Sequence, residues 1–143
     1  NPALESHRKT GVPASITIAQ AALESGWGES GLVRAGNNLF GIKADSRWRG
    51  ETLTLNTREF IKGQWMVVPA KWRKYASWQA SIDDHAAFLK LNSRYKACFL
   101  CTTAPAFAQA LAQAGYATDP DYAIKLIALM SRHQLQSLDG AAP

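Results

Sequence analysis

The sequence has 143 residues, 47% hydrophobic and 19% charged. That excludes a disordered chain and sets one domain, residues 1–143, with a single substantial core. No apolar run is long enough to span a bilayer and none stands at the front as an export signal, so membrane insertion is not expected. The net charge is +5, and all of that excess falls between Lys43 and Lys74, where eight basic residues meet three acidic ones.

The first residue is Asn1 rather than Met, so the sequence reads as a processed form or as a domain cut from a longer chain. A first helix is expected over roughly Pro2 to Lys9, stopped by Gly11 and Pro13. A second starts near Pro13 and runs out at Gly26 and Gly28, with Ile16, Ala19 and Leu23 as its buried stripe. Glu24 then falls in the last turn, where the negative end of the helix dipole disfavours a carboxylate. Trp27 follows at i+3. A glutamate in that setting should hold its proton more tightly than usual, which suits a general acid. The plain alternative is a solvent-facing glutamate at a frayed helix end.

Residues 29–44 read as a loop, with Asn37, Asn38 and Gly41 as turn formers. The stretch from Glu51 to Ile61 alternates, placing Leu53, Leu55, Thr57 and Glu59 on one face. Lys62-Gly63 signals a turn, and Trp65 to Val68 a return strand. The basic segment therefore contains a β-hairpin, the one sheet expected in the chain. Four of the five tryptophans, Trp48, Trp65, Trp72 and Trp78, lie in or just after it. A basic, tryptophan-rich segment suits an extended anionic or sugar-like partner. Nucleic acid is the first rival, but no other nucleic-acid motif accompanies it, and none is expected as a partner.

Ser81 with Asp84 resembles a capping box, and Ile82, His85, Ala86 and Leu89 follow at helical spacing. Cys98 and Cys101 form a lone C-x-x-C. With His7, His85 and His133 scattered, it is read as two packed thiols rather than a zinc or redox site, their oxidation state left open. Pro105 opens another helix, which Gly115 ends. The last helix is expected from Pro120 to Leu138, with Tyr122, Leu126, Leu129, Met130 and His133 as its stripe. The final Gly140-Ala141-Ala142-Pro143 is expected to fray. The whole is α+β and predominantly α: a helical lobe and one β-hairpin lobe flanking a cleft that could hold a polysaccharide.

Three segments carry a family resemblance. Ala19-Gln20-Ala21-Ala22-Leu23-Glu24-Ser25-Gly26-Trp27-Gly28 resembles the signature of glycoside hydrolase family 73, the bacterial peptidoglycan N-acetylglucosaminidases. Asn37-Asn38-Leu39-Phe40-Gly41-Ile42-Lys43 is similar to that family's second motif. Ala114-Gly115-Tyr116-Ala117-Thr118-Asp119-Pro120, with Tyr122, is similar to its third. Within the family, the chain most resembles the C-terminal hydrolase domain of flagellar rod-assembly proteins of Gram-negative bacteria.

The resemblance implies a lysozyme-like fold and cleavage of the β-1,4 bond between N-acetylglucosamine and N-acetylmuramic acid. It implies a periplasmic or cell-envelope location, a role in local wall opening during rod assembly, and rod proteins as partners through a missing N-terminal region. It makes Glu24 the general acid and puts a second glutamate on the β-lobe, best matched by Glu59 with Glu51 as fallback. It places Tyr116 beside the acid, with Tyr122 able to share or replace its role. Trp27, Asn38, Phe40, Trp48 and Tyr122 are expected to border the substrate. With a water between the carboxylates the reaction would invert; otherwise the substrate's 2-acetamido group would act as nucleophile with retention. No phosphate loop or metal-ligand cluster is evident, and the chemistry needs no cofactor. The rivals are a lytic transglycosylase, giving anhydromuramic products, and a wall-binding module without catalysis.

Overall fold

The computed structural model describes residues 1–141; Ala142 and Pro143, half of the tail expected to fray, lie outside the described residues. Helix α1 spans Pro2–Thr10. The Asn1 side chain accepts the Ala3 N–H at its start, and Gly11 ends it at φ +83°. Helix α2, Ala14–Ser25, is the centre of the molecule. It buries Ile16, Ala19 and Ala22 together with the polar Ser15, Thr17, Gln20 and Ser25. Small side chains on several faces allow that many neighbours to approach. Pro13 offers α2 no side-chain cap. Asp139, from the far end of the chain, supplies one, accepting the Ser15 N–H at 2.9 Å and the Ser15 hydroxyl at 2.6 Å.

The stretch expected as loop contains a short helix, α3, Gly31–Gly36. Ser30 caps it by accepting the Val33 N–H, and Asn37 closes it at φ +53°. Caps this close together hold six residues helical despite a glycine at each end. Strands β1, Thr52–Ile61, and β2, Gln64–Arg73, pair antiparallel from Thr52↔Arg73 to Ile61↔Gln64. Lys62 and Gly63 turn the chain with both φ angles positive, the geometry that matches strand twist in a two-residue hairpin. Leu53, Leu55, Thr57 and Glu59 do share the more buried face of β1. The return strand runs five residues beyond Val68, through Pro69, because both strands of a two-stranded sheet are edges and a proline there forfeits no ladder bond. A bridge between Lys43 and Trp72 adds a short third segment along β2.

Helix α4 spans Trp78–Leu91 and is capped by Ser77, not Ser81. Ser81 lies inside the helix, fully buried, and its hydroxyl accepts the Leu39 N–H. A 3-10 segment, Ser93–Leu100, leads to α5, Ala104–Gln113, capped by Thr103. Cys98 is buried in the main core and Cys101 lies at its edge, both unpaired. Burial pushes the Cys98 thiol up to about 11, which suits a packed thiol. Helix α6, Tyr122–Arg132, is shorter than its stripe suggests. Gln134 takes φ +53° and a 3-10 turn, Leu135–Ala141, carries Asp139 back to α2.

The main core joins α2, α4, α5 and α6 through Ile16, Leu89, Phe107, Leu111, Leu126 and Met130. A second cluster, Val33, Leu39, Phe40, Ile42 and Ile82, lies outside it. Arg73, at the end of β2, fastens the hairpin to the helices. Its guanidinium donates to Asp84 at 2.8 Å and to the Lys43 carbonyl at 3.1 Å, and stacks 4.9 Å from Trp48. Among the described residues no helix is long and apolar enough to cross a membrane.

Candidate active site

A pocket opens between the end of α2 and the base of the hairpin. Its helical wall carries Glu24, Phe88, Tyr95 and Tyr116, and its other wall Phe40, Gly41, Ile42, Lys43, Asp45 and Arg73. The αL cap at Gly26 ends α2 so that Glu24 stands in its last turn. The Tyr122 hydroxyl donates to Glu24 Oε1 at 3.0 Å. Glu24 keeps an exposed surface, yet its carboxyl is partly withdrawn from water. That desolvation raises its pKa above the ordinary value, against the smaller lowering effect of the Tyr122 bond. The shift has the expected direction, but its cause is burial among the pocket residues.

Tyr116 lines the pocket and stacks on Tyr122 with centroids 5.6 Å apart. Burial, then the nearby Glu24 charge, pushes its phenol far upward, so it stays a hydrogen-bond donor at any working pH. Phe40 lines the floor and stacks on the buried His85 at 3.8 Å. Trp48 lies in an adjoining recess that shares Asp45, Arg73 and Phe88 with the main pocket. Glu59 is not among the pocket-lining residues. It reaches the pocket edge through an ion pair of 3.0 Å with Lys43, which is. Glu51 is exposed, and its carbonyl accepts the Trp48 indole N–H.

Three expected substrate contacts are placed otherwise. Trp27 faces a separate apolar recess with Trp78, because Gly26 and Trp27 both take positive φ and turn the chain off the Glu24 face of the helix. Asn38 is 1% exposed. Its amide donates to the Ile42 and Arg73 carbonyls and accepts the Ile42 N–H, so it staples the pocket floor instead of meeting a ligand. Tyr122 is 2% exposed and touches Glu24 from behind.

Gln20, His85, Asp45 and Arg73 were not singled out from sequence. For Gln20 a signal existed: Ile16, Gln20 and Glu24 recur at i, i+4 along one face of α2, a polar residue inside an apolar stripe. His85 gives the same signal, on the stripe of Ile82, Ala86 and Leu89; Asp45 and Arg73 are placed by a contact across 28 residues that no local pattern marks.

A family described as Glucosaminidase: Mannosyl-glycoprotein endo-beta-N-acetylglucosaminidase matches residues 1–135. The chain belongs to this glucosaminidase family. It is 40% identical over 140 residues to Peptidoglycan hydrolase FlgJ of Salmonella typhimurium, covering 95% of this chain and 44% of that protein. It is 42% identical over 142 residues to Exo-glucosaminidase LytG of Bacillus subtilis, covering 96% and 50%. The chain thus spans about half the length, or less, of these curated relatives. Its fold matches the truncated glycoside hydrolase domain of Salmonella typhimurium FlgJ with TM-score 0.76 at 40% identity, covering 93% of this chain and 91% of that one. It matches the catalytic domain of the autolysin Auto of Listeria monocytogenes with TM-score 0.85 at 36% identity, covering 96% and 81%. The glucosaminidase fold is therefore lysozyme-like, predominantly helical with a two-stranded antiparallel sheet, as expected.

Proposed function

We propose that this glucosaminidase domain hydrolyses the β-1,4 bonds between N-acetylglucosamine and N-acetylmuramic acid in peptidoglycan, acting at the cell envelope. Residues 1–143 serve as its catalytic domain within a longer protein. The observation that carries this reading is Glu24: a carboxyl at the edge of a pocket, its pKa raised by desolvation, with a tyrosine hydroxyl on one oxygen. A glycosidic oxygen leaves poorly unless protonated, and a carboxylic acid that keeps its proton can protonate it.

The remaining roles follow from position. Tyr116, held as a neutral phenol beside Glu24, donates a hydrogen bond to the substrate's acetamido oxygen or to the charge that develops at the reacting carbon. Glu59, held at the pocket edge by Lys43, is the candidate general base for an inverting route; because it does not line the pocket, the substrate's own 2-acetamido group as nucleophile, with retention, is the second reading. Trp48 borders the sugar rings, and Phe40, itself only 3% exposed, forms the pocket floor beneath them. Lys43, on the pocket wall, faces the carboxyl groups of the glycan's lactyl and peptide branches.

A place in flagellar rod assembly is a further part of this proposal, for which the likeness to Peptidoglycan hydrolase FlgJ speaks; rod proteins would then be partners of regions outside this sequence. The test of the activity is the mass of the products from purified peptidoglycan. Reducing N-acetylglucosamine ends are expected. Anhydromuramic ends would make the enzyme a lytic transglycosylase, and binding without product would make it a wall-binding module.

A further inference from the structure

Behind Glu24 runs a buried chain of hydrogen bonds that packing does not require. Gln20 and His85 are both 0% exposed, in a core otherwise built from Ile16, Ala19, Leu89 and Leu126. His85 Nε2 lies 2.9 Å from Gln20 Oε1. Gln20 Nε2 donates to the Tyr122 hydroxyl oxygen at 2.9 Å. The Tyr122 hydroxyl in turn donates to Glu24 Oε1 at 3.0 Å. Each link joins a different element: α4 to α2, α2 to α6, and α6 back to the end of α2.

The chemistry of the groups gives this chain one direction. An amide oxygen can only accept, so His85 carries its hydrogen on Nε2. An amide nitrogen can only donate, so the Tyr122 oxygen is the acceptor there. The single hydrogen of Tyr122 is then left for Glu24. We propose that Gln20 and His85 are positioning residues: they hold the Tyr122 hydrogen on Glu24 Oε1 and so leave Oε2 to carry the proton that is transferred. This rests on the reading of Glu24 as the general acid.

His85 supports the site from a second side as well. Its ring stacks on Phe40 at 3.8 Å and stands edge-on to Tyr116 at 6.4 Å, both of them pocket residues. Full burial holds the imidazole neutral, with its pKa pushed down to about 3. Among the described residues its Nδ1 has no hydrogen-bond partner, so a second ring proton would also be unpaired. The relay therefore keeps one hydrogen-bond direction throughout the working pH range. Facing Glu24 are Tyr122 from α6, Tyr95 and Tyr116 from the segments around α5, and Lys43, Asp45 and Arg73 from the hairpin side. Burial raises all three tyrosines, which remain protonated as Glu24 titrates.

Two measurements test the relay. The first is 15N NMR of the histidines in the unaltered protein. His85 is expected neutral with its hydrogen on Nε2 from pH 4 to pH 8, on the order of the range set by its lowered pKa. A hydrogen on Nδ1, or titration near neutral pH, would overturn the proposal, and this needs no variant to fold. The second is Gln20→Met, which keeps the length and removes both bonds. Its kcat is expected to fall about tenfold with KM unchanged. The alkaline limb of its rate profile should move to higher pH, because Tyr122, no longer fixed as a donor by Gln20, favours ionised Glu24 less. A folded Gln20→Met with unaltered kcat and limb, beside an inactive Glu24→Gln, would overturn the relay. An active Glu24→Gln would instead remove the reading of Glu24 on which it rests.

Discussion

The Tyr122 hydroxyl sits 3.0 Å from Glu24 Oε1 and donates to it, tying the last turn of α2 to the first residue of α6. The carboxyl is therefore held on one oxygen by a donor that cannot itself ionise at working pH, since burial drives the Tyr122 phenol far upward. Holding one oxygen while burial penalises the charge suits the role of general acid proposed for Glu24.

Replacing Glu24 should separate activity from stability. Glu24→Gln is expected to lower the rate of peptidoglycan solubilisation by about 10²- to 10⁴-fold. The folded carboxyl has a raised pKa, so its contribution to stability is complete below the unfolded value and lost as pH rises through the folded one. A glutamine cannot ionise and escapes that loss. Thermal unfolding should show a higher Tm for Glu24→Gln at pH 7, with the gap closing toward acid pH. An equal gap at all pH values would contradict the assignment.

The rate profile should fall on the alkaline side as Glu24 loses its proton, at a pH above the ordinary glutamate range. Tyr116 is not the source of that limb, because its phenol is shifted far out of range. Tyr116→Phe should accordingly lower kcat about tenfold while keeping the shape of the profile. Steady-state rates on a soluble glycan fragment across pH 4 to 9, on the order of the useful buffer span, check both statements.

Asn38 should prove a structural residue. Its amide makes three bonds to buried backbone groups of Ile42 and Arg73. Asn38→Ala leaves those groups unpaired and should destabilise the fold by about 3 kcal/mol. Asn38→Asp should be worse, since a carboxylate would face two carbonyl oxygens. Denaturant unfolding measures both. A loss of activity in Asn38→Ala with unaltered stability would restore it as a substrate contact.

Asp139 caps the helix that carries the acid, through Ser15. Asp139→Ala should cost about 1 kcal/mol in denaturant unfolding, with kcat unaltered once the protein is folded. A fall in kcat without a fall in stability would give the C-terminal turn a role in the site.

Added salt should raise KM more than it lowers kcat if, as proposed, Lys43 meets the glycan's carboxyl groups at an open surface while Glu24 acts partly out of water. Initial rates at low and high ionic strength test this, and an unaltered KM would leave the basic wall without a part in binding.

Much of this protein is legible in its chain. Helix ends are written by Gly11, Gly26 and Gly115, all at positive φ. The alternation around Leu53, Leu55 and Thr57 marks a strand with one better-buried face. The three motifs lead to the family and, through it, to Glu24. These features are local: a few neighbouring residues decide the backbone, and a short signature stands out wherever it lies. Less local decisions escape such signals for a consistent reason. Ser81 has the spacing of a cap, yet its hydroxyl serves Leu39 in another segment. Trp27 sits three residues from Glu24, yet two left-handed residues send it to another recess.

Only the tertiary structure decided what surrounds the acid. Gln20 and Tyr122 are 102 residues apart, and Tyr122 and Glu24 98 apart, so no periodicity could pair them. Their contact exists because α2, α4 and α6 bury their apolar faces against one another and bring a few polar side chains along. Once water is excluded from that core, most such groups find a partner, though His85 Nδ1 and Thr17 Oγ1 find none among the described residues. The sequence by itself pointed, through its motifs, to Glu24 as the residue proposed for the acid; the packing of three helices decided which of its oxygens is held.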